Sequence, residues 1–337
     1  MMQDNSITLI YEEIKMGNGN NRSHHHHYVP QFYQKYFSDE NGKIYALNKL
    51  NNKTFCPNPN DIFAEEDRNT FINHEGKESD WIEKFYSEIE KHCSKAVREF
   101  ANTGSLSSTE CKRFLILFAY LSKWRSPAYD DSYEYVLKNL SFSDLRLHFG
   151  NLNLGTEYDL EKAWNDDEMQ ATKRILLSIQ PFIYKKDYED IFKNTFIIGF
   201  PEQYNAIIGS CPFVENPINS TNVFESFIFP LSPTYSLIYL NHCDIKAWAK
   251  YWNDNYNLIM PLIANLRDLS IYHISKDIVI SNNPKRLQTI KTIYEKMLNS
   301  SLDVRRLPGL LFQTIFEPFE NNALLNTISD SYKSLSM

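Results

Sequence analysis

The sequence predicts an α+β protein that is predominantly helical, with an N-terminal β-hairpin and a small antiparallel sheet in its second half. Three observations favour this fold class. Apolar residues recur at helical spacing over residues 80–124, and runs rich in β-branched and aromatic residues follow between 195 and 240. Helical patterns return after residue 245. Helices, strands and helices in separate blocks are typical of α+β proteins rather than of doubly wound sheets.

The chain has 337 residues, of which 42% are hydrophobic, and this composition is that of a globular protein. We predict an N-terminal extension over residues 1–22, one α+β domain over 23–300 and a C-terminal tail over 301–337. Within the domain, the helical middle covers 78–180 and the sheet-containing part covers 190–300.

The formal net charge of −7 is unlike the basic surplus of proteins that coat DNA passively. It does not exclude a nuclease, because a bound metal ion can supply positive charge locally. The five cysteines form no CxxC pair and predict reduced thiols rather than a zinc site. No stretch resembles a signal peptide or approaches the ~20 apolar residues of a membrane span. We therefore expect a cytoplasmic protein that has no membrane partner.

The predicted hairpin lies around Asn51-Asn52, since asparagine tolerates the positive φ that tight turns require. Its strands are the runs Lys43–Leu47 and Lys53–Cys56. Before it, Pro30 suits the first turn of a short aromatic helix.

Two helices form the predicted helical middle. The first runs from Asp80 to Ala101 and begins with capping-box spacing between Asp80 and Glu83. The second runs from near Ser107 to Trp124 and has a wide apolar face, as expected of a core helix. Further helical stretches are predicted at Tyr129–Leu140 and Leu160–Ser178.

The second half begins with four short strand-like runs separated by Gly, Pro, Ser and Asn, which predict an antiparallel sheet. These runs are Thr195–Ile198, Ala206–Ile208, Val223–Phe229 and Tyr235–Leu240. The later helices are predicted at Ile245–Ala264 and Pro284–Asn299.

The strongest candidate for a functional site is the tract of four histidines that ends at His27 and runs into Tyr28-Val29-Pro30. Imidazole exchanges protons near neutral pH and is a common metal ligand. If this tract forms a strand, neighbouring side chains point to opposite faces. We therefore expect one working and one supporting imidazole, and either His26 or His27 could be the working one. A purely structural role for both, in capping and packing the aromatic helix, remains an alternative.

Charged residues elsewhere could complete such a site. Arg125, at the end of a core helix, could bind a phosphate or carboxylate bidentately, or could instead satisfy helix carbonyls or pair with Glu90. Glu65 could join His27 in binding a metal, although a solvated acidic loop is the commoner explanation. Glu215 could place a carboxylate at a sheet edge, but Asn216-Pro217 after it is also an ordinary turn.

Three further residues are candidates for contacting a substrate. Gln31 and Tyr33 follow the histidines directly, and aromatic rings such as Tyr33 can stack on bases. Asn265 could donate a hydrogen bond to a ligand. The alternatives are core packing for Tyr33 and helix capping for Asn265.

The run from His26 to Tyr33, His-His-Tyr-Val-Pro-Gln-Phe-Tyr, resembles the opening motif of domain-of-unknown-function family 4238. Weaker similarities follow in the expected order over roughly residues 26–290. They are Phe63-Ala64-Glu65 through Phe71, Glu90 in a helix, Trp124-Arg125-Ser126-Pro127, Phe229-Pro230-Leu231-Ser232-Pro233 and Asn265. Where the family often has Ser-Asp-Asn-Pro, this chain has Val214-Glu215-Asn216-Pro217, so its carboxylate is one methylene longer.

The resemblance brings no established activity, and two functions are open. The first is a metal- or histidine-dependent nuclease or phosphodiesterase, with nucleic acid as partner and a divalent metal as candidate cofactor. His26 or His27 would be the general base and Arg125 the phosphate clamp, with a carboxylate of Glu65, Glu90 or Glu215 as orienting group. The family's character suggests a toxin-like effector in bacterial anti-phage defence. The alternative is a non-catalytic binding or protein-interaction module.

Overall fold

The computed structural model describes residues 23–316 except for 73–75, 107, 140–172, 176, 180–181, 183–184, 218–224, 242, 244 and 301–302. The chain divides into two compact units, and each draws on two separate segments. Unit 1 contains residues 1–28 and 64–188, and unit 2 contains residues 29–63 and 189–337. The change of pattern near residue 190 coincides with the start of the second segment of unit 2. The single domain over 23–300 stays a prediction.

The described elements follow one another as short strands, helices, strands and helices. The first part of the chain contains β1 (His25–His27), α1 (Gln31–Lys35), β2 (Tyr45–Asn48), β3 (Thr54–Phe55), β4 (Ala64–Glu66), β5 (Phe71–Ile72), β6 (Glu78–Ser79), α2 (Trp81–Thr103), α3 (Thr109–Arg125) and α4 (Asp130–Asn139). The second part contains α5 (Lys185–Asn194), β7 (Thr195–Gly199), β8 (Ile208–Gly209), β9 (Val214–Glu215), β10 (Phe227–Pro230), β11 (Tyr235–Tyr239), α6 (Ile245–Ile274), β12 (Ile278–Ser281), α7 (Pro284–Asn299) and α8 (Leu307–Phe316).

Unit 1 is built on the helix pair α2 and α3, which pack against each other. The two helices predicted between residues 80 and 124 are thereby confirmed. Gly104 ends α2 at a φ of 64°, a left-handed conformation that glycine adopts without strain. Ser108 caps α3 by accepting a hydrogen bond from the Cys111 backbone N–H. The unit also contains α4 and two two-stranded antiparallel sheets, β1–β4 and β5–β6.

Unit 2 contains two four-stranded antiparallel sheets. Their strand orders are β7-β11-β10-β9 and β3-β2-β12-β8. Strands β2 and β3 pair across the Asn51-Asn52 turn, where Asn52 has a φ of 60°. The sequence groups Ala206–Ile208 with the runs of the first sheet, but β8 pairs with β12 in the second sheet. Sequence patterns identify strands more readily than their partners, because pairing depends on contacts remote in the chain.

Two helical segments of unit 2 differ from their predicted bounds. The helix predicted to end at Ala264 continues to Ile274, with Pro261 inside it. Its second half carries Arg267 and Asp268, which interrupt the apolar pattern although both are fully buried. Within the predicted C-terminal tail, Leu307–Phe316 form α8, which packs on α6.

The predictions for residues 1–22 and for most of Leu160–Ser178 lie outside the described residues. Among the helices that the structure describes, none combines the length and the apolar character that a bilayer crossing requires.

Candidate functional site

The histidine tract forms the short strand β1, whose antiparallel partner in unit 1 is β4. His25 lies opposite Glu66, His26 opposite Glu65 and His27 opposite Ala64. Because side chains alternate along a strand, His25 and His27 share one face while His26 points to the other. Residues directly opposite each other share a face as well, so Glu65 lies on the side of His26. The strand therefore separates the two imidazoles that the sequence treats as equivalent.

His26 is completely buried, and both of its ring nitrogens are hydrogen-bonded within unit 1. Nδ1 accepts a hydrogen bond from the Asn69 backbone N–H at 3.0 Å, and Nε2 lies 2.9 Å from the Ser23 carbonyl oxygen. A carbonyl only accepts, so Nε2 carries the proton and the ring is neutral. A ring held in this way has no free lone pair for a substrate proton. The contacts of His26 are those of a structural anchor.

His27 is half-buried on the opposite face of β1. Its ring centroid lies 5.0 Å from that of the exposed His25, with the two ring planes nearly perpendicular at 86°. Its backbone carbonyl accepts a hydrogen bond from Nη2 of Arg125. The backbone of His27 is thus tied to α3, while its imidazole stands beside a second imidazole.

Arg125 is buried, with a 3% exposed side chain, and its guanidinium contacts three groups. Nη1 donates to Glu90 Oε1, Nη2 donates to the His27 carbonyl, and the guanidinium carbon lies 4.4 Å from the Tyr86 ring centroid. Together these contacts account for both terminal nitrogens and one face of the guanidinium. Binding a phosphate through both nitrogens would require the release of the Glu90 bond.

Burial and pairing act in opposite directions on the ionisable groups of this cluster. Burial raises the pKa of Glu90, and the adjacent Arg125 opposes that rise. Burial acts to lower the pKa of Arg125, but Glu90 and Glu83 outweigh it and the pKa rises. Burial also raises the pKa of the Tyr86 phenol. Arg125 therefore stays charged, and its carboxylate partner offsets the cost of burying that charge.

Sequence reasoning missed Arg68, which forms the second charged cluster of unit 1. It donates two hydrogen bonds to the Asp130 carboxylate, at 2.6 and 3.1 Å, one to Glu65 at 2.7 Å and one to the Arg125 carbonyl at 3.2 Å. Arg174 lies 3.5 Å from the same Asp130 carboxylate. The three-residue spacing between Glu65 and Arg68 was the available signal. Nothing in the sequence points to Asp130, because it follows Glu65 by 65 positions.

The predicted metal pair, His27 and Glu65, lies on opposite faces of the β1–β4 pair. Glu65 is also engaged by Arg68. Within the described ranges, the structure brings no three His, Cys, Asp or Glu side chains together in a metal-binding arrangement. His27 and Glu65 therefore cannot reach a common ion while the strands keep this register.

The remaining predicted site residues belong to unit 2. Gln31 donates a hydrogen bond to Asn60 Oδ1 at 3.1 Å. Tyr33 is fully buried, donates its hydroxyl hydrogen to the Pro230 carbonyl and stacks on Phe229 at 5.4 Å, and burial raises its pKa well above the usual range. These contacts are the core packing that the sequence offered as the alternative for Tyr33.

Asn265 lies within α6 and is 2% exposed, so it does not cap the helix. Its side-chain oxygen accepts a hydrogen bond from Arg286 at 2.8 Å. Glu215 is half-buried in β9, opposite Phe227. The predicted site residues thus form two groups, one in each unit: His26, His27, Glu65, Glu90 and Arg125, and Gln31, Tyr33, Glu215 and Asn265.

A buried triad of charges surrounds Asp268 in unit 2 and was also missed. Arg267 donates to Asp268 Oδ1 at 2.8 Å, and Arg286 donates twice to Oδ2 at 2.6 and 2.8 Å. Burial lowers the pKa of Arg267, which Asp268 opposes. Arg267 also donates to the Tyr204 carbonyl and to the Ser236 hydroxyl, so the triad joins α6, α7 and β11.

Comparison with known proteins gives one match. The model of a family described as "Protein of unknown function (DUF4238)" matches residues 25–194, a range that includes β1, Glu90 and Arg125. No curated protein and no solved structure matches the chain.

Proposed function

Because the chain belongs to the family of proteins of unknown function DUF4238, we propose a function from its own geometry: a phosphodiester hydrolase whose working imidazole is His27. The observation that carries this proposal is the difference between the environments of His26 and His27 on β1. His26 uses both ring nitrogens inside the fold, whereas His27 lies on the other face beside His25. One imidazole anchors the strand, and the other lies on the opposite face of β1 with its Nε2 atom buried.

The proposed reaction uses His27 as a general base. Its neutral ring accepts a proton from a water molecule as the water oxygen attacks phosphorus. The bond from phosphorus to the leaving oxygen then breaks, and that oxygen takes a proton from solvent. The anchored backbone supports this role, because a catalytic group must keep its position relative to the substrate.

Arg125 has a different role in this proposal from the phosphate clamp that the sequence suggests. Its bonds to Glu90 and to the His27 carbonyl make it a positioning residue for β1. Neutralising the phosphate then requires another positive charge, which a divalent metal would supply to a chain of net charge −7. Nucleic acid remains the proposed substrate. A cytoplasmic, toxin-like effector of bacterial anti-phage defence is the proposed setting, and the family resemblance alone suggests it.

The test is incubation of the purified full-length chain with mixed RNA and DNA, with and without Mn²⁺. Wild-type protein and the His24→Ala control are expected to cleave, while His27→Ala is expected to lose at least about 100-fold in rate. His24 is an exposed imidazole in the same tract and bonds Asp67 instead, at 2.9 Å. Equal cleavage by wild type and His27→Ala would overturn the assignment.

A non-catalytic binding module is the second candidate, and the occupied state of Arg125 favours it. A guanidinium already engaged by Glu90 and a carbonyl suits a structural role better than a catalytic one. If wild-type protein retains nucleic acid in a gel-shift experiment without cleaving it, and His27→Ala binds equally well, the module replaces the hydrolase.

A further inference from the structure

The face of β1 opposite to His26 presents two imidazoles at neighbouring positions. His25 and His27 are two residues apart on a strand, so both side chains leave the backbone on the same side. Their ring centroids are 5.0 Å apart. Directly across the strand pair, Ala64 and the exposed Glu66 line the same face.

This separation matches the geometry of a shared metal ion. Two imidazoles bound to one tetrahedral ion through metal–nitrogen bonds of ~2.0–2.1 Å place their ring centres about 5 Å apart. Imidazole prefers zinc, copper, nickel and cobalt over magnesium and calcium, which take oxygen ligands. An ordinary edge-to-face pair of rings has the same spacing, so the ligand type, imidazole, is what selects divalent transition metals as the ligand class.

The strand that carries the pair is held in place by contacts on its other side. The buried ring of His26 bonds the Asn69 N–H and the Ser23 carbonyl, and Arg125 bonds the His27 carbonyl. Such fixed backbone positions reduce the ordering cost of binding an ion. The buried His26 ring therefore fixes β1 so that the His25 and His27 rings, on the opposite face, stay 5.0 Å apart.

We propose that His25 and His27 chelate one divalent transition-metal ion. The ligand set is two imidazoles, with the remaining positions open to water or substrate. Among the described residues, no third His, Cys, Asp or Glu side chain completes a metal-binding group with them. Glu66 adds a negative charge on the same face. The inference deepens the proposed hydrolase by supplying its positive charge. With the ion bound, the single lone pair of the His27 ring is used for coordination, so the ion and not His27 would activate the attacking water. Only that catalytic consequence rests on the proposed function.

A pair of histidines fixed on a strand and a flexible histidine tract would bind a metal ion through different residues. In a flexible tract, any neighbouring imidazoles can share an ion, so His24 would contribute as much as the others. In the strand, His24 lies outside the pair and bonds Asp67 Oδ1 at 2.9 Å. His24→Ala is therefore a matched control, since it removes one exposed imidazole next to the site.

The experiment is titration of the metal-free, full-length chain with Co²⁺, followed by cobalt absorption, and with Zn²⁺ by calorimetry. We expect one ion per chain, and a loss in affinity on the order of tenfold or more for His25→Ala and for His27→Ala. His24→Ala should change the affinity by less than about twofold, because it leaves both ligands in place. His25 is exposed, so His25→Ala tests the site even if His27→Ala misfolds.

Ala64→His provides a gain-of-function arm. It places a third imidazole directly opposite His27 on the same face and should tighten Zn²⁺ binding by at least about tenfold. Equal losses from all three alanine variants, no binding by wild type, or an unchanged affinity for Ala64→His would overturn the site. Metal binding without phosphodiester cleavage would instead overturn the proposed hydrolase and leave the metal site standing.

Discussion

At the scale of single residues, the two histidines of the His26-His27 dipeptide have different environments. His26 is buried with both nitrogens bonded, while His27 is half-buried beside His25. The sequence predicted one supporting and one working imidazole, because adjacent strand residues face opposite ways. It could not assign the two roles, since the anchor partner Asn69 lies 43 positions away.

Loss of the anchor should destabilise the chain. His26→Ala leaves the Asn69 N–H without its acceptor inside unit 1 and opens a cavity, so the free energy of unfolding should fall by about 2 kcal/mol or more. His24→Ala, an exposed control, should stay within about 0.5 kcal/mol of wild type. Urea denaturation followed by circular dichroism measures both. A wild-type midpoint for His26→Ala would contradict the anchoring role.

At the scale of elements, strand register and helix length decide which residues meet. The antiparallel register of β1 and β4 places Glu65 opposite His26 on one face and Glu66 opposite His25 on the other face. If the register of β1 shifted by one residue, each of its histidines would move to the other face of the strand pair. Four consecutive histidines look alike in either register, so the sequence does not specify which one forms. The length of helix α6 was also beyond what the local sequence pattern could predict. Its apolar pattern weakens after Ala264 because Asn265, Arg267 and Asp268 are polar, yet all are buried by contacts with other elements.

The triad around Asp268 should be sensitive to charge removal. Asp268→Asn leaves Arg267 and Arg286 buried without their shared carboxylate, and the expected cost is about 3–5 kcal/mol of unfolding free energy. Asp254→Asn is the matched control, because Asp254 is exposed on the same helix. Thermal or urea unfolding measures the difference. Equal midpoints for the two variants would show that the triad contributes little to stability.

At the scale of the whole molecule, the main features are the net charge and the fact that each unit is built from two separate segments of the chain. A net charge of −7 disfavours contact with polyanions unless a cation intervenes. Each unit combines an N-terminal segment with a later one, so the histidine tract joins helices that follow it by more than 50 residues. A local sequence pattern does not predict which segments join in one unit, because segments that are remote in the chain join by burying apolar surface against each other.

Metal binding should register in the stability of the full chain. An ion that binds the folded state alone, at 100 times its dissociation constant, raises the unfolding free energy by about 2.7 kcal/mol. Zn²⁺ should therefore raise the urea midpoint of wild type and of His24→Ala. His27→Ala should lose most of that increase. An equal increase in all three proteins would indicate binding elsewhere on the chain.

By itself, the sequence determined the α+β class, the helices α2 and α3, the strand-rich block after residue 195 and the choice of the histidine tract as the candidate site. Those features depend on residue spacing and local propensity, which are written along the chain. Only the tertiary structure decided that His26 is the buried anchor, that Arg125 pairs with Glu90 and the His27 carbonyl, and that Asp268 joins two arginines. Burial and hydrogen bonding between groups far apart in sequence decide these roles, and no local pattern encodes the distance between them.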